Sequence, residues 1–292
     1  MINLRRLVDG PIIHSGMLPG TEGQNINGPS LIQAPDWLPG KLGEFYLYFA
    51  HHRGQNIRLA HANKLEGPWT VLKSGTLQLQ DAKACHDHIA SPDIHVDGNK
   101  REILMFFHGT LNNSRNNQKT FIARSKDGIN FTANDVPIAD FYFRTVHYKD
   151  RWIAMSKGGA MYISDKLDGH YRKLSNRVFE TNGIRHVALN VSSEKLHVYY
   201  SQVGDAPERI YRSSIRLEGA IENWIAEDKE LVIKPQAAWE GSNLPLAPSR
   251  GGAAHGPENA LRDPAIFLWG NRTFLLYSAA AENSIGIVEI TA

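Results

Sequence analysis

The sequence predicts an all-β protein, a five-bladed β-propeller, on three observations. Five short apolar and aromatic segments of strand length recur along the chain. Each is preceded by a turn and another strand-like segment. Four of the five lead on into a phrase in which an acidic residue and a glycine precede an aromatic. One supersecondary unit repeated in fixed order is the mark of a repeat architecture, and four-stranded units closing into a ring are propeller blades.

The inner strands are expected at 29–34, 93–96, 142–148, 185–191 and 264–269. Asp97-Gly98-Asn99, Lys149-Asp150, Ser192-Ser193 and Gly270-Asn271 supply tight turns after four of them, and 37–44 is a longer Pro/Gly connection. Second strands follow at 45–52, 103–109, 152–157, 196–202 and 273–279, and third strands at 57–62, 120–125, 160–165, 209–214 and 285–290. The phrase then reads Glu66-Gly67-Pro68-Trp69, Asp127-Gly128 with Phe131, Asp168-Gly169-His170-Tyr171, and Glu218-Gly219 with Trp224. Its aromatic opens a fourth, outermost strand. The fifth repeat has no such phrase, whereas 11–15 is a strand without a blade, so blade five is expected to be closed by an N-terminal strand. The whole of 1–292 reads as a single propeller domain. The longest connection, 233–261, is rich in Pro, Gly and Ala and reads equally as a rim or lid and as a packed surface loop. No segment has the sustained periodicity of an ordinary helix.

Composition narrows the function. With 42% hydrophobic residues in 292, the chain can bury a core without disulfides or metal. A net charge of +2, from 32 Lys and Arg against 30 Asp and Glu, gives no broad basic field, so nucleic acid is not expected as a partner. Cys85 is the only cysteine, which excludes a disulfide framework and a Cys-based zinc site. No apolar run resembles a signal-peptide core or a membrane span, so a cytoplasmic protein without a membrane partner is expected.

In a ring of blades the inner-strand entrances converge. Asn27, Asp93, Arg144, Arg185, His186, Arg262 and Asp263 lie at those entrances, and His51, His52, Arg53, His108, Lys157, Gln202 and Glu282 at second-strand ends. His86-x-His88 on an extended segment would put two imidazoles on one side. A divalent metal ion is thus the one cofactor left open, with His86, His88 and His186 as candidate ligands. The arginines, Arg209 among them, match an acidic group on a ligand or pair with their acidic neighbours. Trp37, Trp239, Tyr142 and Phe143 suit either sugar stacking or blade packing.

Gly28-Pro29-Ser30-Leu31-Ile32 with 45–49, Ser91-Pro92-Asp93-Ile94, and Arg262-Asp263-Pro264-Ala265-Ile266-Phe267 together resemble the five-bladed glycosidases of families 43 and 32. The resemblance implies a hydrolase with a carboxylate base, a carboxylic acid and a third carboxylate that tunes the acid. Asp93 matches the tuning position. The base position reads Asn27-Gly28, and an amide cannot take a proton from water. Asp140 is the nearest match for the acid. Asp263, Glu208, Glu258 and Glu282 are carboxylates that can replace the missing ones, and His186 or His108 an acid or base that Asn27 cannot be.

The catalytic candidates are therefore Asp93, Asp263, His186 and Glu208. The substrate-binding candidates are Asn27, His51, His52, Arg53, His88, His108, Arg144, Arg185, Arg262 and Glu282. Three readings stand: a glycosidase-like enzyme cleaving an oligosaccharide in the axial cavity, a His- or metal-dependent lyase or isomerase of acidic sugars, and a non-catalytic carbohydrate-binding propeller.

Overall fold

Aromatic and β-branched runs bounded by turn residues become strands. The computed structural model, which describes residues 2–175, 177–180 and 183–291, arranges them in five antiparallel sheets. Blade 1 comprises Asn27–Gln33, Phe45–Ala50, Arg58–Ala62 and Thr70–Val71. Blade 2 comprises Cys85–Asp97, Glu102–Leu111 and Gln118–Ser125, whose outer edge is shared by Thr132–Ala133 and Ala139–Asp140. Blade 3 is Arg144–Tyr148, Arg151–Met155, Met161–Ser164 and Arg172–Lys173, and blade 4 is Ile184–Ser192, Lys195–Gln202, Ile210–Arg216 and Ala226–Ile233. Blade 5 is Leu261–Trp269, Arg272–Ala279 and Ser284–Thr291.

The chain's other end completes blade 5, but with two pieces. Ile13–His14 pairs with Ile285 and Ser284, as the strand-like run at 11–15 leads one to expect. Asn3–Arg6 pairs beyond it with Val288 to Thr291. Asn-Leu-Arg-Arg has no β-branched or aromatic residue, so its composition does not announce a strand. Arg6 then clamps buried Glu240 through both oxygens, at 2.7 and 2.8 Å, and Tyr277 donates to the same carboxylate at 2.7 Å.

The core is divided among the blade interfaces. Five clusters of buried apolar residues fill five gaps. Tyr46, Tyr48 and Leu59 meet Met105, Phe107 and Phe121 between blades 1 and 2. Leu47 and Phe49 on the opposite face of the same strand meet Phe267, Phe274 and Leu276 of blade 5. Phe45–Ala50 is consequently buried at every position, which explains its uninterrupted apolar run. The acidic-glycine-aromatic phrase ties neighbours together. At Gly128, φ is +74° and a Cβ would come within 3.1 Å of the Tyr48 hydroxyl, which donates to the Gly128 carbonyl at 2.7 Å.

Four inner strands carry a register shift at their entrance, between Asn27 and Ser30, Ala90 and Asp93, Ile184 and Val187, and Arg262 and Ala265. Gly28, Ser91 and Asp263, each followed by proline, hold φ values of +58°, +48° and +50° there, and Tyr142, just before blade 3, holds +58°. A bulge adds a residue without a ladder partner and re-aims its side chain. The residues so turned sit at the propeller axis. Among the described residues no helix is long and apolar enough to cross a membrane.

Candidate functional site

Around the axis one residue from each blade meets its neighbour. A Cβ on Gly28 would lie 3.0 Å from the Ser91 Cα, and Ser91 Oγ is 3.5 Å from His186 Nε2. The Tyr142 ring sits 3.6 Å from the His186 ring, centroid to centroid. His186 Nδ1 lies against Asp263 Oδ1, and Asp263 Oδ2 accepts from the Gly28 amide at 3.4 Å and from Ser278 at 3.1 Å. His186 and Asp263 are both buried. Burial pulls the imidazole below its ordinary value even though Asp263 works against it, and His186 with Arg185 and Arg262 holds the Asp263 carboxyl far below its own, despite the desolvation that opposes this. A neutral His186 that gives its Nδ1 proton to Asp263 keeps a lone pair on Nε2, facing Ser91.

Beside this layer runs a buried charge network. Glu208 Oε1 accepts from Ser201 at 2.7 Å and faces Arg185 Nε at 3.1 Å, while Oε2 accepts from Arg262 Nε at 2.7 Å. Burial lifts the Glu208 carboxyl above its ordinary range, although both guanidiniums pull it down. Arg262 also reaches Glu258 at 2.6 Å and Glu282 at 3.6 Å. Glu282 in turn accepts from Asn25, faces His52 at 3.6 Å, and lies 3.5 Å from the Asn27 amide nitrogen. Arg185 donates to the carbonyls of Arg250 and Gly252, which moors the long 234–260 connection at this entrance.

The histidines form a second arc. His88 stacks on His52 at 6.5 Å and meets His108 edge-on at 5.8 Å, and His108 packs against Tyr142 at 4.7 Å. Burial keeps His88 and His108 below the ordinary imidazole value, and it brings half-buried His51 down to about 4. Asn27 Oδ1 and His108 Nδ1 are buried and have no hydrogen-bond partner among the described residues. Arg53 is exposed.

Other expected residues lie apart. Asp93 accepts from the Thr145 amide and meets His95, both at 3.0 Å, and pairs with Arg144 at 3.3 Å. It lines a cavity of about 400 Å³ with Ser30, His95, Arg144, Trp152 and Asn190, toward the far ends of the inner strands. Ser91, His186 and Asp263 are not among that cavity's walls. Asp140 lies on the outer part of blade 2, held by Lys119 and Lys173 at 2.6 Å each and by Tyr162 at 2.7 Å. These partners overcome desolvation and keep it strongly acidic, the reverse of what a general acid needs.

The metal candidates His86, His88 and His186 do not converge. The register shift between Cys85 and Ile89 breaks the two-residue alternation, so His86 faces solvent while His88 turns inward. Among the described residues, no group of three or more His, Cys, Asp or Glu could hold a metal ion. Of the four aromatics weighed for stacking, Tyr142 is at the axis. Phe143 and Trp37 pack between blades, and Trp239 stacks on Tyr277. Sequence reasoning passed over Ser91 and Asn25 as site residues. Ser91 had a signal, since it precedes a proline at an inner-strand entrance, as Gly28 and Asp263 do.

Compared with known proteins, the chain matches no family model. An uncharacterized protein of Acanthamoeba polyphaga mimivirus is 32% identical over 301 aligned positions, covering 89% of this chain and 82% of that one. The chain belongs to that protein's family. This chain shares its architecture with solved glycoside hydrolases. A thermostable family-43 glycoside hydrolase superposes with a TM-score of 0.62 at 12% identity, covering 92% of this chain and 93% of its own. A family-43 β-xylosidase/α-arabinofuranosidase from a compost microbial metagenome, solved with xylotriose, gives 0.66 at 11% identity over 99% and 96%. A family-43 enzyme of Xanthomonas citri, complexed with xylotriose, gives 0.63 at 10% identity over 97% and 88%. At such identities the likeness establishes the five-bladed fold.

Proposed function

We propose that the protein is a glycosidase-like enzyme acting on an oligosaccharide at the entrance end of the propeller axis, with His186 as its proton-transfer group and Asp263 holding it. The contact between His186 Nδ1 and Asp263 Oδ1 carries this reading, because it fixes the tautomer that leaves Nε2 basic. The family-like carboxylates are otherwise engaged: Asn27 is an amide, Asp93 is paired with Arg144 and His95, and Asp140 is outside the axis. Asn27 Oδ1 and His108 Nδ1, buried and without partners among the described residues, are atoms that sugar hydroxyls would satisfy.

The ligand fits better as neutral than as acidic. Arg144, Arg185, Arg209 and Arg262 already spend their donors on Asp93, Glu208, Glu258, Glu282 and backbone carbonyls. That weakens the reading of an acidic-sugar lyase. A reducing-end assay over neutral xylo- and arabino-oligosaccharides tests the proposal, with His186→Gln expected to lower turnover about 100-fold or more. Undiminished turnover in that variant, tight binding without turnover, or an ultraviolet-absorbing unsaturated uronide as product would each overturn it.

A further inference from the structure

We propose that Ser91, His186 and Asp263 form a serine acyl-transfer relay, so that the axis also hydrolyses a carboxylic ester. Three different blades deliver the three residues. Ser91 Oγ is 3.5 Å from His186 Nε2, and His186 Nδ1 rests on Asp263 Oδ1, so nucleophile, base and orienting carboxylate occur in that spatial order. Separations of this size at the nucleophile are usual before substrate binds.

Ser91 is held at φ +48°, a left-handed conformation that a serine adopts only under constraint, and the bulge between Ala90 and Asp93 turns it toward the axis. Gly28 opposite leaves room that a Cβ would close, since one placed there would meet Ser91 Cα, Oγ and Cβ at 3.0 to 3.4 Å. Pro92 follows Ser91 and has no amide proton. The oxyanion must therefore be met from another blade, where the Gly28 amide faces the axis and makes a long, 3.4 Å contact with Asp263 Oδ2.

The chemistry closes with water as the only co-reactant. Ser91 Oγ attacks the ester carbonyl carbon while its proton passes to His186 Nε2. The carbon–oxygen bond to the alcohol breaks, and the alcohol leaves with that proton. Water, deprotonated by His186, then cleaves the acyl-serine, releasing a carboxylic acid and restoring the Ser91 hydroxyl. Asp263 acts as a positioning residue throughout. The substrate class is a carboxylic ester; only the expectation that its alcohol is a sugar hydroxyl rests on the proposed function above.

The test uses the intact chain, a fluorophosphonate reagent and p-nitrophenyl acetate, none of which involves a glycosidic bond. Mass spectrometry should place the label on Ser91, and nitrophenol should appear with a burst of one equivalent. His186→Gln should slow labelling about 1,000-fold, and Asp263→Asn should slow it and shift its pH profile. Ser91→Gly, which suits the left-handed backbone, should abolish labelling without lowering the melting temperature. Ser91→Cys should exchange fluorophosphonate reactivity for reactivity toward iodoacetamide. An unlabelled Ser91 in the wild type, or labelling as fast in His186→Gln, would overturn the relay. Either result would leave oligosaccharide cleavage, measured separately, to be judged by itself.

Discussion

At Glu208 two guanidiniums and a hydroxyl converge on one buried carboxylate, and the Arg185 and Arg262 side chains have almost no solvent to fall back on. Removing the charge leaves buried Arg185 with backbone carbonyls alone, while Arg262 keeps Glu258 and Glu282; breaking a buried ion pair typically costs about 3–5 kcal/mol, whereas losing one neutral hydrogen bond costs about 1 kcal/mol. Glu208→Gln is therefore expected to lower stability by about 3 kcal/mol or more, and Ser201→Ala by about 1 kcal/mol, in urea titrations. His51 governs a pH window. Its folded value of about 4 lies below the ordinary imidazole value because burial disfavours the cation. The unfolded chain then binds more protons between the two values, so stability falls as pH drops from about 6.5 toward 4. Buried His88, His108 and His186 act in the same direction. His51→Gln should flatten that slope in melts taken across the window. Asp93, lowered chiefly by His95 and Arg144 against desolvation, contributes stability above its unfolded value near 3.9, which is lost as pH falls through the folded value. Asp93→Asn should remove that acid-limb loss.

At the scale of elements, the outer edge of blade 5 is the vulnerable one. Deleting residues 2–7 would uncover the unpaired groups along Val288 to Thr291 and release Glu240 from Arg6. An open sheet edge invites pairing with another chain. The expected result is a lower melting temperature together with concentration-dependent self-association in light scattering. The elements differ in how legible they are. Second strands such as Phe45–Ala50 and Lys195–Gln202 announce themselves because burial on both faces demands aromatic and β-branched residues. Asn3–Arg6 gives no such sign, because an outermost strand needs only backbone partners. The inner-strand positions of Asn27, His186 and Asp263 are readable from their place before apolar runs. The left-handed turn at Ser91 is not, because serine carries no conformational signature there. Nor is the Arg185–Glu208–Arg262 network, whose members are neighbours only once blades 4 and 5 stand side by side.

At the scale of the molecule, charge is distributed unevenly although the total is small. The net charge is +2, yet beside the axis Arg185 and Arg262 face Glu208, Glu258, Glu282 and Asp263. The guanidiniums of Arg185 and Arg262 are already paired, which leaves them few donors for an anionic glycan. Calorimetric titration is expected to show neutral oligosaccharides binding more tightly than uronate-containing ones of equal length, and the opposite order would count against a neutral ligand. The pairing of Asn3–Arg6 with Val288 to Thr291 has a temporal side. Asn3–Arg6 is synthesised well before Val288 to Thr291, so for that interval its hydrogen-bonding partner does not exist. Until that segment emerges, the nascent ring stays unlatched at blade 5, and a chaperone that shields Asn3–Arg6 would cover a strand whose partner is not yet made.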